Sequence, residues 1–199
     1  MNKKDIILAG VGGQGILSIA ATIGYAAVQS GLYLKQAEVH GMSQRGGDVQ
    51  SHLRISEKEI ASDLIPEGKA DMIISVEPME SLRYLPFLDP EGWLITNSKP
   101  FINIPNYPEE KSVVQEIKKI SNHVILDAET IAKDLGSAKV ANMVILGAAI
   151  PFLGLDFEKF EEAIKFIFGK KGEDLVNINI NALKAGREIT DDKIKKQMQ

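Results

Sequence analysis

The chain has 199 residues, 44% of them hydrophobic and 25% charged, with a formal net charge of -4 and no cysteine. That length suits one substantial core and is short for two, and no apolar run approaches the roughly 20 residues needed to cross a bilayer. The acidic balance argues against a broad nucleic-acid surface, and the lack of cysteine excludes disulfides, thiolate nucleophiles and the thiolates that hold iron–sulfur clusters.

The first residues run into a short apolar segment without the longer apolar region and cleavage site of a secretory signal, so a soluble, cytoplasmic chain is expected. Ile6, Ile7, Leu8 and Ala9 read as a buried strand feeding a turn that contains Gly10, Gly12, Gly13, Gln14 and Gly15. Ile16, Ile19, Ala20, Ile23 and Ala27 then fall on one helical face, and Gly31 stands where a helix stops. Residues 32–39 read as a second strand, which predicts a strand, crossover helix and parallel strand. A second glycine-rich stretch, 41–47, reads as an irregular functional loop. Segments 49–55 and 59–64 are predicted to pair with each other as an antiparallel hairpin turning near Ser56, Glu57 and Lys58.

Further strands are expected at 72–76, 93–96 and 124–126, separated by helices at 79–85 and 111–120. Helices at 130–135 and 139–149 follow, the second ending at Pro151. Phe157, Phe160, Ile164, Ile167 and Phe168 form an amphipathic stripe that reads as core packing. A last helix is predicted at 173–187. The expected fold is α/β: a Rossmann-like, doubly wound, mostly parallel sheet with an antiparallel hairpin insertion. It forms one domain over residues 1–190, with a fraying polar tail at 191–199.

Gly10, Gly12 and Gly15 satisfy G-x-G-x-x-G between a strand and a helix, where backbone N–H groups and a helix N-terminus can hold a phosphate. Glu38 lies near the place where a dinucleotide fold offers an acid to the ribose, so a nucleotide site stays open beside the reading that the glycines only serve a tight turn. Ser43, Gln44 and Arg45 between glycines offer a guanidinium fork and polar donors suited to an anion or a partner's carboxylate. His40, His52 and His123 have neither an i, i+4 pair nor a cysteine partner, and no metal site is expected; His40 reads as a hydrogen-bonding loop residue, the other two as structural or surface residues. Neither Ser18 nor Ser43 sits in a G-x-S-x-G elbow. Ligands of open α/β sheets gather beyond the carboxyl ends of the strands. That rule collects residues 10–15 and 38–45, Glu77, Pro78, residues 97–100 and Asp127 on one edge.

Four ordered blocks are specific enough to carry a resemblance: residues 10–17 (GVGGQGIL), 38–47 (EVHGMSQRGG) with 51–55 (SHLRI), 70–78 (ADMIISVEP) and 140–147 (VANMVILG). Together they resemble the γ subunit or domain of 2-oxoacid:ferredoxin oxidoreductases, with most likeness to the β subunit of the indolepyruvate enzyme. The resemblance implies a subunit, inactive alone, of a complex that decarboxylates an aryl pyruvate, reduces ferredoxin and passes the acyl group to coenzyme A. Thiamine diphosphate, magnesium and the iron–sulfur clusters are then expected on a larger partner chain, in keeping with the missing cysteines and the missing G-D-G...N motif. It further implies that Gly12, Gly13 and Gln14 neighbour coenzyme A phosphates, and that Ser43, Gln44 and Arg45 face the partner's active site. A stand-alone nucleotide-binding protein and a purely structural interaction subunit are the alternatives.

Overall fold

Strand β1 (Lys3–Val11) contains the apolar run 6–9, and all four of its residues are fully buried. A strand with no polar face needs cover on both sides, and the rest of the chain supplies it. The structure, a computed structural model, describes residues 3–40, 46–102 and 104–197. The other strands are β2 (Tyr33–His40), β3 (Asp48–Ser56), β4 (Ala70–Ser75), β5 (Leu88–Asn97) and β6 (His123–Leu126). Among the described residues they form one sheet in the order β2-β3-β1-β4-β5-β6. The ladders from β1 through β4 and β5 to β6 are parallel, whereas β3 runs antiparallel to both β1 and β2.

Seven helices flank the described sheet: α1 (Ile16–Gln29), α2 (Pro78–Arg83), α3 (Glu110–Lys118), α4 (Ala128–Asp134), α5 (Ala141–Leu153), α6 (Phe157–Phe168) and α7 (Glu173–Gln197). On one face Ile6, Leu8 and Ile74 pack with Ile23 of α1, Leu146 of α5 and Phe160 of α6. On the other, Ile7, Ala9, Ile73 and Leu94 pack with Val113 and Ile117 of α3. Alternate residues of each strand therefore serve opposite cores, as the pleat requires. The result is the expected α/β sandwich with a mostly parallel sheet and an antiparallel hairpin.

The hairpin has different partners from those expected. Segment 49–55 lies within β3, which pairs with β2 on one side and β1 on the other. Helix α1 does return β2 in the direction of β1, but β3 is inserted between them, so the two are not neighbours. Segment 59–64 forms no strand. Its backbone is held by side chains of the sheet instead. Arg54 donates to the carbonyls of Ser62 and Leu64, each at 2.9 Å, and Lys35 to that of Ala61 at 3.1 Å. His52 Nδ1 accepts the Ile65 N–H at 3.0 Å. The same Arg54 grips the fully buried Asp5 of β1 through two bonds, Nε to Oδ1 at 2.8 Å and Nη2 to Oδ2 at 3.0 Å.

Two helix ends also differ from expectation. Pro151 lies inside α5, which continues to Leu153 and stops at Gly154 with φ 69°. Proline there removes one bond to the carbonyl four residues back, in the last turn of a helix held by burial almost all round. Helix α7 extends past 187 to Gln197. Thr190, fully buried, donates to the Ala148 carbonyl at 2.8 Å, and Lys193 donates to the His123 carbonyl, so these contacts fasten the helix to α5 and to the start of β6. Burial pushes the Lys193 ammonium below its ordinary range.

Helices α5 and α7 meet backbone to backbone. A Cβ placed on Gly186 would overlap the Val144 carbonyl oxygen, and one on Gly147 would overlap that of Leu183. Gly186→Ala should therefore lower stability by about 2 kcal/mol or more, despite the ~1 kcal/mol of helix propensity that alanine adds. Thermal unfolding would show a midpoint several degrees lower, with Gly169→Ala, where nothing lies within 4 Å, as the unaffected comparison. A second expectation concerns His52, whose pKa is lowered from 6.5, first by burial and then by the Arg54 charge, against the opposing pull of Asp63. The unfolded chain takes up this proton before the folded one does. The stability from the neutral ring is thus complete above about pH 6.5 and is lost as the pH falls through the folded value. Urea midpoints measured between about pH 7 and 5 should fall more steeply in the wild type than in His52→Gln, whose amide still offers an acceptor.

Candidate functional site

The turn after β1 is built from short backbone bonds and one folded-back side chain. Gly12 N–H donates to the Gly47 carbonyl at 2.8 Å, tying the turn to the residues that lead into β3, and Gln14 N–H donates to Val11 at 3.1 Å. The Gln14 amide accepts the Val11 N–H at 2.8 Å and reaches the Val76 carbonyl at 3.5 Å. Gln14 is therefore a staple between the turn and β4 as well as a wall of the site. The glycines divide their work. A Cβ on Gly10 would press on the side chains of Val76 and Ile16, and Gly15, at φ 82°, would strike the Asn142 amide. Gly13 is also left-handed, at φ 99°, but nothing lies within 4 Å of its missing side chain. It faces open space.

That space is a cavity of about 260 Å³ at the carboxyl edge of the parallel strands. Gly13 and Gln14 bound it on the β1 side, Val76 follows β4, Asn97 ends β5, and Ala128 and Glu129 follow β6. Lys139, Asn142 and Phe101 complete the rim. A second cavity of about 450 Å³ shares Gly13, Gln14, Lys139 and Asn142 and extends toward Ser18 and Phe168. The expected gathering of strand ends on one edge is thus present for β1, β4, β5 and β6.

Several of the expected edge residues serve as caps. Glu77, buried, caps α2 by accepting the Glu80 N–H at 2.8 Å, while its other oxygen accepts the Tyr107 hydroxyl at 2.5 Å and the Phe101 N–H at 3.3 Å. Burial and this carboxylate push the Tyr107 phenol upward. Asn97 accepts the Ala128 N–H at 3.1 Å, and Asp127 caps α4 through the Thr130 N–H at 3.0 Å. On the α2 side, Tyr84 donates to Asp48 at 3.2 Å; burial, then the Asp48 charge, pushes this phenol up to about 12. Burial likewise raises the Glu80 carboxyl, with Arg83 pulling it back.

Glu38 is on β2, separated from β1 by β3, or about 10 Å at two strand spacings. Its Oε2 is buried and has no hydrogen-bond partner among the described residues. Ser43, Gln44 and Arg45 lie outside the described residues, as does the side chain of His40. His52 is buried against Phe87 at 5.3 Å, and His123 Nδ1 lies 2.6 Å from the Ile120 carbonyl; both positions are structural.

Sequence reasoning missed Lys139 and Asn142. Asn142 donates to the Gly15 carbonyl at 3.1 Å across 127 residues of chain. Lys139 stands just before α5, where a cation opposes the helix dipole, and that misplaced charge is the signal that could have revealed it. Among the described residues its ammonium makes no ion pair. Helices α1 and α5 both begin without an acidic residue in the first turn and without a side-chain cap. The uncapped start of α1 and the Lys139 ammonium beside Gly13 give this side of the cavity a positive character, whereas the first turn of α5 is partly satisfied by Asn142, which accepts the Met143 N–H at 3.0 Å.

Residues 5–189 match the sequence family described as pyruvate ferredoxin/flavodoxin oxidoreductase. The chain belongs to this family. Indolepyruvate oxidoreductase subunit IorB of Archaeoglobus fulgidus is 38% identical over 193 residues, which span 92% of this chain and 94% of the relative. The IorB of Thermococcus kodakarensis is 35% identical, with 94% and 95% covered. In fold the chain is similar to the pyruvate oxidoreductase subunit PORC of Thermotoga maritima, at a TM-score of 0.73 and 20% identity, covering 94% of this chain and 97% of that one. It is also similar to part of a 2-oxoglutarate:ferredoxin oxidoreductase of Magnetococcus marinus solved with 2-oxoglutarate, coenzyme A and succinyl-CoA bound. There the TM-score is 0.77 at 20% identity, and the match spans 96% of this chain but 32% of that one. Relatives in the oxidoreductase family are thus subunits of 2-oxoacid:ferredoxin oxidoreductases, indolepyruvate enzymes among them.

Proposed function

We propose that this chain is the accessory subunit of an indolepyruvate-type 2-oxoacid:ferredoxin oxidoreductase, inactive alone, and that it seats coenzyme A at the glycine turn against a larger subunit. The observation that carries the assignment is the match to IorB along almost the full length of both chains. The fit of coenzyme A rests on the site itself. Its phosphates need backbone donors and a cation, and the edge offers Gly13, the uncapped start of α1 and Lys139. Thiamine diphosphate held by the larger subunit would supply the carbanion-stabilising chemistry of the decarboxylation. With no cysteine in the sequence, the thiolates for iron–sulfur clusters would come from that subunit too. In this reading Gly10, Gly12, Gly13, Gln14 and Gly15 shape the coenzyme seat, and Ser43, Gln44 and Arg45 face the partner's active site.

A stand-alone dinucleotide site is less well supported, because the acid it would use, Glu38, is a full strand removed from the neighbour position beside β1. Anaerobic affinity purification of the chain from its own cells tests the assignment directly. A larger polypeptide carrying thiamine diphosphate and a visible iron–sulfur spectrum is expected; a lone colourless chain would sink the proposal. In the assembled enzyme, Lys139→Ala should raise the KM for coenzyme A about tenfold, the scale of one charge-assisted hydrogen bond, with the KM for the 2-oxoacid little changed. An unchanged coenzyme A KM would point to a purely structural subunit. Arg45→Ala should lower either assembly or turnover, and no change in both would remove Arg45 from the proposed interface.

A further inference from the structure

Among the large hydrophobic side chains exposed on the described surface, Phe101 and Ile102 are consecutive, 44% and 72% exposed. Single exposed apolar residues are ordinary, but here the backbone of Phe101 is fixed in place, with Ile102 next to it. The Phe101 N–H is bound by Glu77, whose same oxygen takes the Tyr107 hydroxyl, while Glu77 is itself locked as the cap of α2. Upstream, the Ser98 N–H donates to the Leu126 carbonyl at 2.9 Å, and the Asn97 amide donates to the Lys99 carbonyl at 3.2 Å. Contacts whose backbone is already ordered lose little entropy on association, which is how a docking anchor differs from a mobile surface residue.

The pair stands at the mouth of the glycine-turn cavity, which Phe101 helps to line. Leu17 on the first turn of α1 and Val39 at the end of β2, 62% and 61% exposed, lie on the same edge. From β2 to β5 that edge spans about 19 Å, four strand spacings. A second comparison indicates what covers it. Ketoisovalerate oxidoreductase subunit VorA of Methanothermobacter thermautotrophicus is 30% identical over 183 residues, which are 91% of this chain but 35% of that one. In VorA most of the polypeptide is additional chain joined to this fold, whereas IorB is almost wholly accounted for by it. In VorA, then, further polypeptide is joined directly to this fold, and the larger subunit proposed above is the partner that would lie against it.

We infer that Phe101 and Ile102 anchor the larger oxidoreductase subunit, which docks over the glycine-turn edge and closes the cavity, with Glu77 and Tyr107 as the residues that position the anchor. The inference rests on the subunit assignment proposed above. Its test is co-production of the tagged full-length chain with the larger subunit, followed by affinity capture and measurement of Kd for the purified pair. Phe101→Ser with Ile102→Ser should weaken the complex about tenfold or more while leaving the unfolding midpoint in place. Ile102→Asp, at a position that does not line the cavity, should act in the same direction. Val28→Ser with Phe166→Ser, which removes exposed apolar groups from α1 and α6, should leave binding intact. Retention of the larger subunit by both anchor variants overturns this inference alone. Failure of the wild-type chain to hold any larger subunit overturns the assignment and this inference together. Self-association of the isolated wild-type chain that the anchor variants abolish, with the larger subunit still bound, gives the patch to a second copy and overturns it as well.

Discussion

Strand β1 has no side that water could wet. Ile6, Ile7, Leu8 and Ala9 are buried to completion, so apolar cover is required above and below the centre of the sheet. Helices α1, α5, α6 and α7 meet that need on one face, and α2 and α3 on the other. Because β1 is central, the turn that follows it emerges in the middle of the carboxyl edge, flanked by the ends of β4, β5 and β6. The position of the cavity is thus a consequence of burying one strand.

The insertion of β3 depends on a polar interaction. Asp5 is fully buried in β1, and Arg54 of β3 meets it with two hydrogen bonds while its third nitrogen holds the carbonyls of Ser62 and Leu64. Lys3, partly exposed, also donates to Asp5 at 2.5 Å, but only Arg54 reaches both carboxylate oxygens, so a register that brings Asp5 and Arg54 together is favoured. One arginine therefore favours this β1–β3 register and shapes the segment after β3. The functional consequence is at the opposite end of the same ladder. With β3 in place, Glu38 is moved away from β1, and the glycine turn is left beside Lys139 and Asn142 rather than beside Glu38.

The edge is chemically divided. Asp48, Glu77 and Glu80 lie toward α2, where tyrosines and Arg83 satisfy them, while the uncapped start of α1 and Lys139 make the other side the more positive one. Exposed apolar side chains lie on the rim of both. In the proposed complex this is a complementary half of a site: the chain contributes the anion seat and a docking rim, and the larger subunit contributes the redox groups.

Much of the architecture was legible in the amino-acid order. The apolar run of β1, the helical stripe from Ile16 to Ala27, the glycine turn and the Phe157 to Phe168 face each depend on neighbours within a few residues, and periodicity reports such neighbours faithfully. The four family blocks led to the correct family for the same reason, since each is a local signature. Strand pairing was not legible. Segment 59–64 alternates like a strand, yet Arg54, Lys35 and His52 capture its backbone, and nothing in its own residues announces that. The length of α7 was hidden because its polar last turns are held by Ala148 and His123, far away in the sequence. Lys139 and Asn142 became part of the site only when α5 came to rest against a turn more than a hundred residues upstream. Local composition determined which segments would be strands, helices and turns; long-range hydrogen bonds and close backbone contacts, which no short window contains, decided how they were put together and which side chains face the cavity.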